Sequence, residues 1–205
     1  MGWDAGAMGP PAGRVEVELY TDSFRVSGHL TTRFHSVGDI LNLSEAGHLT
    51  VEQATVSEYA DPGASRGGQS VLVAVDSILF GISSQTGSDE PSEFGEVQKR
   101  PVRTQLALPP FWVTGMIHVP PGGSPLDGLL NVANRFLTLT DVAVTCAAYP
   151  TFDGNAPAVA IQRHLAEVLL VMDTDAPHNP LEEVLPEEEV RGWLPPPMES
   201  PDSQP

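Results

Sequence analysis

The residues that could do chemistry in this chain are few and scattered. Its six histidines, His29, His35, His48, His118, His164 and His178, are the natural zinc ligands. A zinc site needs three or four such groups converging, and no tight spacing supplies them. Only His29 and His118 take comparable places, in two strands expected to be alike, and even these are out of step. The single cysteine, Cys146, lies in the apolar run 142–148. That context makes it a small buried hydrophobe rather than a reactive thiol. Asp39 and Asp127 could form a carboxylate pair, but each sits where a short helix should open, which is dipole and capping chemistry. There is no His-Glu-x-x-His, no phosphate-cradling Gly/Lys/Ser loop and no nucleophile elbow. Gly63 to Gly68 lacks a strand-to-helix context. The expectation is a protein that is not an enzyme and holds neither cofactor nor metal.

Charge narrows the partners. Acids outnumber bases 27 to 10, a formal net charge of −17. A phosphate-backbone binder draws its affinity from Lys and Arg, so the balance argues against nucleic acid. The acid is concentrated in the segment 173–205, a Pro-rich tail in which Arg191 is the only base. Such composition cannot bury enough apolar surface to offset ordering entropy. Within it Leu181, Val184, Leu185, Val190, Trp193 and Leu194 stand among glutamates. Leu185, Trp193 and Leu194 are therefore candidates for a short motif that folds on a partner or back onto its own chain. Residues 1–13 lack the basic start and apolar centre of a secretory signal. No apolar run approaches the ~20 residues that span a bilayer. The expected compartment is the cytoplasm, with no membrane association.

The elements that must position these residues come twice. Phe24-Arg25-Val26-Ser27-Gly28 has the order of Phe111-Trp112-Val113-Thr114-Gly115. Asp39 to Asn42 answers Asp127 to Asn131. His48-Leu49-Thr50-Val51 answers Phe136-Leu137-Thr138-Leu139, and Val73-Ala74-Val75 answers Val159-Ala160-Ile161. The offsets at Gly28, Asn42, Leu49 and Val73 are 87, 89, 88 and 86 residues. Small loop insertions in two copies of one unit produce such a drift, so the chain reads as a tandem duplication.

Each copy reads as strands around one short helix. In the first, Val15, Val17 and Leu19 alternate with charged residues at the strand period of two. Phe24 to Thr32 is the second strand, with Gly28 marking a bulge or bend. Ser36 can cap a helix ending at Asn42. Strands follow over 49–59, 70–75 and 78–83, with 60–69 read as a loop. The second copy repeats this over 102–108, 111–119, a helix from Pro125 through Asn131, then 136–147, 156–161 and 167–172. Pro109 and Pro110 predict that strand 102–108 is an edge or kinked strand. The expected organisation is a disordered leader (1–13), a first barrel (14–84), a linker (85–100), a second barrel (101–172) and the acidic tail (173–205).

The stretch Val17 to Gly28 resembles the opening hairpin of an Sm-like small barrel. Leu137-Thr138-Leu139-Thr140-Asp141-Val142 is similar to its third strand, and Val71 to Ile82 to its closing pair. The order of these motifs also resembles a family of uncharacterised bacterial domains with an Sm-like shape. The resemblance implies two tandem small β-barrels, each of about five strands with one short helix, and barrels that join through exposed strand edges. RNA binding does not carry over. Asn42 and Asn131 precede the third strand rather than follow it, and neither closing turn, Asp76-Ser77 nor Gln162-Arg163-His164, holds the basic-Gly pair.

The functional expectation is a scaffold or adaptor acting through protein–protein contacts and self-association. Phe111 and Trp112, beside Pro109-Pro110, are candidate interface anchors, Trp112 on an outward face. Gly28, Gly115, Asn42 and Asn131 are the repeated structural residues. The alternative is a ligand- or nucleic-acid-binding regulatory module using the barrel mouths.

Overall fold

The structure, a computed structural model, describes residues 12–44, 47–83, 99–121 and 134–172. The leader, most of the linker, the segment from Pro125 to Asn131 and the tail with Leu185, Trp193 and Leu194 lie outside the described residues. The fold is mainly β. Strands β1 (Gly13–Tyr20), β2 (Phe24–Thr32), β3 (His48–Glu58), β4 (Ser65–Ala74) and β5 (Phe80–Ser83) make the first half, with helix α1 (Val37–Asn42) after β2. Strands β6 (Arg100–Leu108), β7 (Phe111–Val119), β8 (Phe136–Thr145), β9 (Gly154–Gln162) and β10 (Val168–Val171) make the second.

All ten strands join in one antiparallel sheet, in the order β10-β6-β7-β8-β9-β5-β1-β2-β3-β4. Two separate barrels were the expectation from sequence. Instead the ladder runs unbroken through both halves and is not closed, because β5 pairs with β9 across the middle. Within each half the order is nonetheless the same: fifth strand, first, second, third, fourth.

The alternation in β1 works as its pattern dictates: Val15, Val17 and Leu19 are buried while Glu16 is exposed. Ser36 caps α1, its Oγ accepting the Asp39 backbone N–H at 3.0 Å. Two readings of the sequence need correction. Residues 65–69 belong to β4, because Ser65 to Gly68 complete the ladder to Ser57–Ala54 of β3. Ladder hydrogen bonds to a neighbouring strand override the weak strand preference of Ser and Gly. Strand β6 is not an edge either: Pro109 and Pro110 fall in the β6–β7 turn, and β10 covers the other side.

Both strand glycines sit at bulges. The β2–β3 register slips between Ser27 and His29, around Gly28, and the β7–β8 register slips between Thr114 and Met116, around Gly115. A Cβ on Gly28 would lie 2.7 Å from Val51 Cγ1, and one on Gly115 2.9 Å from Val142 Cγ2. Opposite them Gln53 and Asp141 take positive φ, 48° and 51°. A bulge sharpens local twist and bends its strand.

The core has two parts, and each borrows from the other half. One centres on β6–β9 and takes in Tyr20, Tyr59, Leu79 and Phe80. The other centres on β1–β4 and α1 and takes in Phe136 and Ala160.

Candidate functional site

Among the described residues no three His, Cys, Asp or Glu side chains gather as a metal site. His118 Nε2 lies 2.9 Å from Thr140 Oγ1. His29 is half-buried on β2, and its Nδ1 is enclosed with no partner. Cys146 is buried, and its backbone N–H donates to Asp153 Oδ1 at 2.7 Å. Asp39 stands in the first turn of α1; Asp127 lies outside the described residues.

A shallow cleft follows the seam between the halves, lined by Glu18, Tyr20, Arg25 and Ile82 on one side and Asp153 and Asn155 on the other. Its charges are engaged with one another. Arg25 ion-pairs with Glu18, and the Tyr20 hydroxyl donates to Glu18 Oε2 at 2.9 Å. Burial raises the Tyr20 pKa, and the Glu18 charge adds to it. Burial alone would lower the Arg25 pKa, but the hydrogen bond it donates to Glu18 carries it upward. Near neutral pH the phenol stays protonated and the guanidinium charged.

The rest of the seam is structural. The Asn42 side chain reaches across to β8: Nδ2 donates to the Phe136 carbonyl at 2.9 Å, and Oδ1 accepts the Phe136 N–H at 2.7 Å. Asn42 ends α1, as its place in the sequence suggests, and its side chain also clamps the two halves. With its amide nitrogen turned inward, buried Gln162 donates to the carbonyls of Val75 (3.0 Å) and Ile78 (2.6 Å). Arg135 ion-pairs with Asp76. Rings from both halves interlock: Tyr20 stacks on Phe80 at 4.4 Å, and Phe111 meets Phe80 edge-on at 5.2 Å.

Of the two proposed anchors, Trp112 is partly exposed, as expected. Phe111 is not available to a partner, being buried in that ring cluster. Alternation across β7 turns neighbouring side chains to opposite faces, so the two cannot act together.

The open surface lies at the two ends of the sheet. Among the described residues, strands β4 and β10 each pair on one side only. Strand β10 and the residue after it read Val168-Leu169-Leu170-Val171-Met172, with four of these five side chains exposed and none charged. On β4, Leu72 is 68% exposed. Sequence reasoning placed both strands but did not single out these residues. Which strand ends a sheet is a property of the pairing, and the pairing is not written in any one segment.

Comparison of the chain with family models, with curated proteins and with solved structures gave no match. Among the described residues no helix is long and apolar enough to cross a membrane.

Proposed function

We propose that this protein is a non-enzymatic scaffold that self-associates through the two open edges of its sheet, in the cytoplasm. The observation that carries the reading is the pair of open edges among the described residues, β10 free of charge and β4 charged only at Arg66 near its start. Natural sheets protect their edges with charge, proline or a covering segment, because an open row of N–H and C=O groups recruits other strands. Strand β10 has neither charge nor proline, and its side chains are apolar on both faces.

The finer architecture belongs to the same proposal. Each half is read as one Sm-like unit of a tandem duplication, its sheet curled toward a small barrel. The identical strand order of the halves, the matching bulges at Gly28 and Gly115 and the paired positive φ values support it.

Size-exclusion chromatography with light scattering tests the function. The expected result is a mass above one chain that rises with concentration. A single-chain mass across the micromolar range would overturn the reading.

A further inference from the structure

Two residues buried at the internal seam, Phe80 and Ala160, have exposed apolar counterparts at the open edges. Register defines the counterparts. Val17 pairs with Gly28 and Thr104 with Gly115, so Leu19 and Leu106, two residues on, occupy the same place. Leu19 pairs with Gly81 and Leu106 with Leu169, which aligns Phe80, Gly81 and Ile82 with Val168, Leu169 and Leu170. Counting back from Gln53 and Asp141, Val51 pairs with Val71 and Leu139 with Val159. Val71, Leu72 and Val73 thus stand where Val159, Ala160 and Ile161 stand, which corrects by two residues the match of Val73 with Val159 expected from the sequence.

At the seam β5 meets β9 through Phe80–Ile161, Gly81–Ala160 and Ile82–Val159. Phe80, Val159, Ala160 and Ile161 are fully buried there. Their counterparts are apolar and in part uncovered: Val168 is 43% exposed where Phe80 is enclosed, and Leu72 stands open where Ala160 is enclosed, while Val71 is half-buried and Val73 is buried within its own half. The covering ring repeats the pattern. Phe111 lies over Tyr20 and Phe80 and is buried, whereas Phe24, which holds its place in the first half, is 40% exposed.

We infer that β10 of one chain pairs antiparallel with β4 of a second copy, repeating between chains the β5–β9 contact made within each chain. The register carries over as Val168 opposite Val73, Leu169 opposite Leu72 and Leu170 opposite Val71. Phe24 of the second copy then covers Val168, as Phe111 covers Phe80. No charge falls on either paired segment, so no like charges oppose one another. The contact joins two different surfaces, so it is head-to-tail and grows into a closed ring or a filament. The inference rests on the self-association reading and names its surface.

Single-edge variants test it. Leu72→Glu blocks only the β4 edge and Leu170→Glu only the β10 edge. Each alone should run at the mass of one chain with unchanged circular dichroism. Mixed in equal amounts they should form a species of two chains and nothing larger, because one good edge of each kind remains. As a check on register, Leu72→Cys and Leu169→Cys proteins should cross-link under oxidation when mixed, and neither with itself. If one glutamate variant still assembles alone, or one cysteine variant links to itself, the contact is symmetric and the inference fails. If neither glutamate changes the wild-type mass, self-association survives and this surface is wrong. If the unaltered chain is monomeric, both fall together.

Discussion

At the residue scale the most constrained groups are two buried phenols. The Tyr59 hydroxyl sits 2.8 Å from the carbonyls of both Thr21 and Phe24, and the residue is buried among Phe111 and Phe152. Burial raises its pKa above that of a free tyrosine, and the neighbouring Tyr20 adds to this. Burial does the same to Tyr20. A free phenol ionises near pH 10. Below that value both states keep their protons, and these groups contribute their full stability without making it depend on pH. Above it the unfolded chain releases protons that the folded chain retains, so stability is lost as pH climbs past about 10. Melting temperature followed from pH 8 to 11 should be flat and then fall. Tyr59→Phe should melt lower at pH 8, by about 1–3 kcal/mol of lost hydrogen bonding, yet fall with about half the steepness above pH 10. A profile as steep as wild type would show that this phenol is not held protonated. None of this was legible in sequence, where Tyr59 only closed a strand.

At the scale of elements, much could be read in advance. Period-two alternation placed β1, the capping serine placed α1, and the repeated glycines placed the bends in β2 and β7. These signals are local, arising from side chains within a few residues of one another. The misread pieces depended on distant partners. The composition of 60–69 points to a loop, although β4 begins at Ser65, and the prolines after β6 point to an edge or kinked strand, although β10 and β7 flank it. The glycine bends give the element-scale prediction. At Gly28 a methyl group would press on Val51 and, at 2.8 Å, on the Glu52 carbonyl, and a backbone atom cannot step aside as a flexible side chain can. Gly115 faces the same crowding from Val142 and the Thr140 carbonyl. Gly28→Ala and Gly115→Ala should each cost about 1–3 kcal/mol, the usual range for overpacking, read by urea denaturation. A cost below 0.5 kcal/mol at both sites, the level of an ordinary surface change, would mean the bends do not need glycine.

At the scale of the whole molecule, the duplicated pattern led toward two independent bodies, and the structure joins them. The joining contacts are single residues such as Asn42, whose partner lies 94 positions away. No periodicity or composition signals a link of that length. Its consequence is thermodynamic. The halves share a strand pair, a ring cluster and buried hydrogen bonds, and each contributes residues to the other's core. Neither half can open without exposing apolar surface and unpairing backbone groups of its neighbour, so the sheet should unfold in one cooperative step. Calorimetry should then show a single transition whose calorimetric and van't Hoff enthalpies agree. Asn42→Ala leaves the Phe136 N–H and carbonyl without their partner, at a cost of about 1–3 kcal/mol. Because the clamp belongs to both halves, that loss should lower the one transition as a unit. Two resolved transitions in the unaltered chain, or a variant in which β1–β5 melts while β6–β10 persists, would show the halves to be separate bodies after all. The same outcome would undercut head-to-tail pairing, since the internal seam is the template on which that contact is drawn.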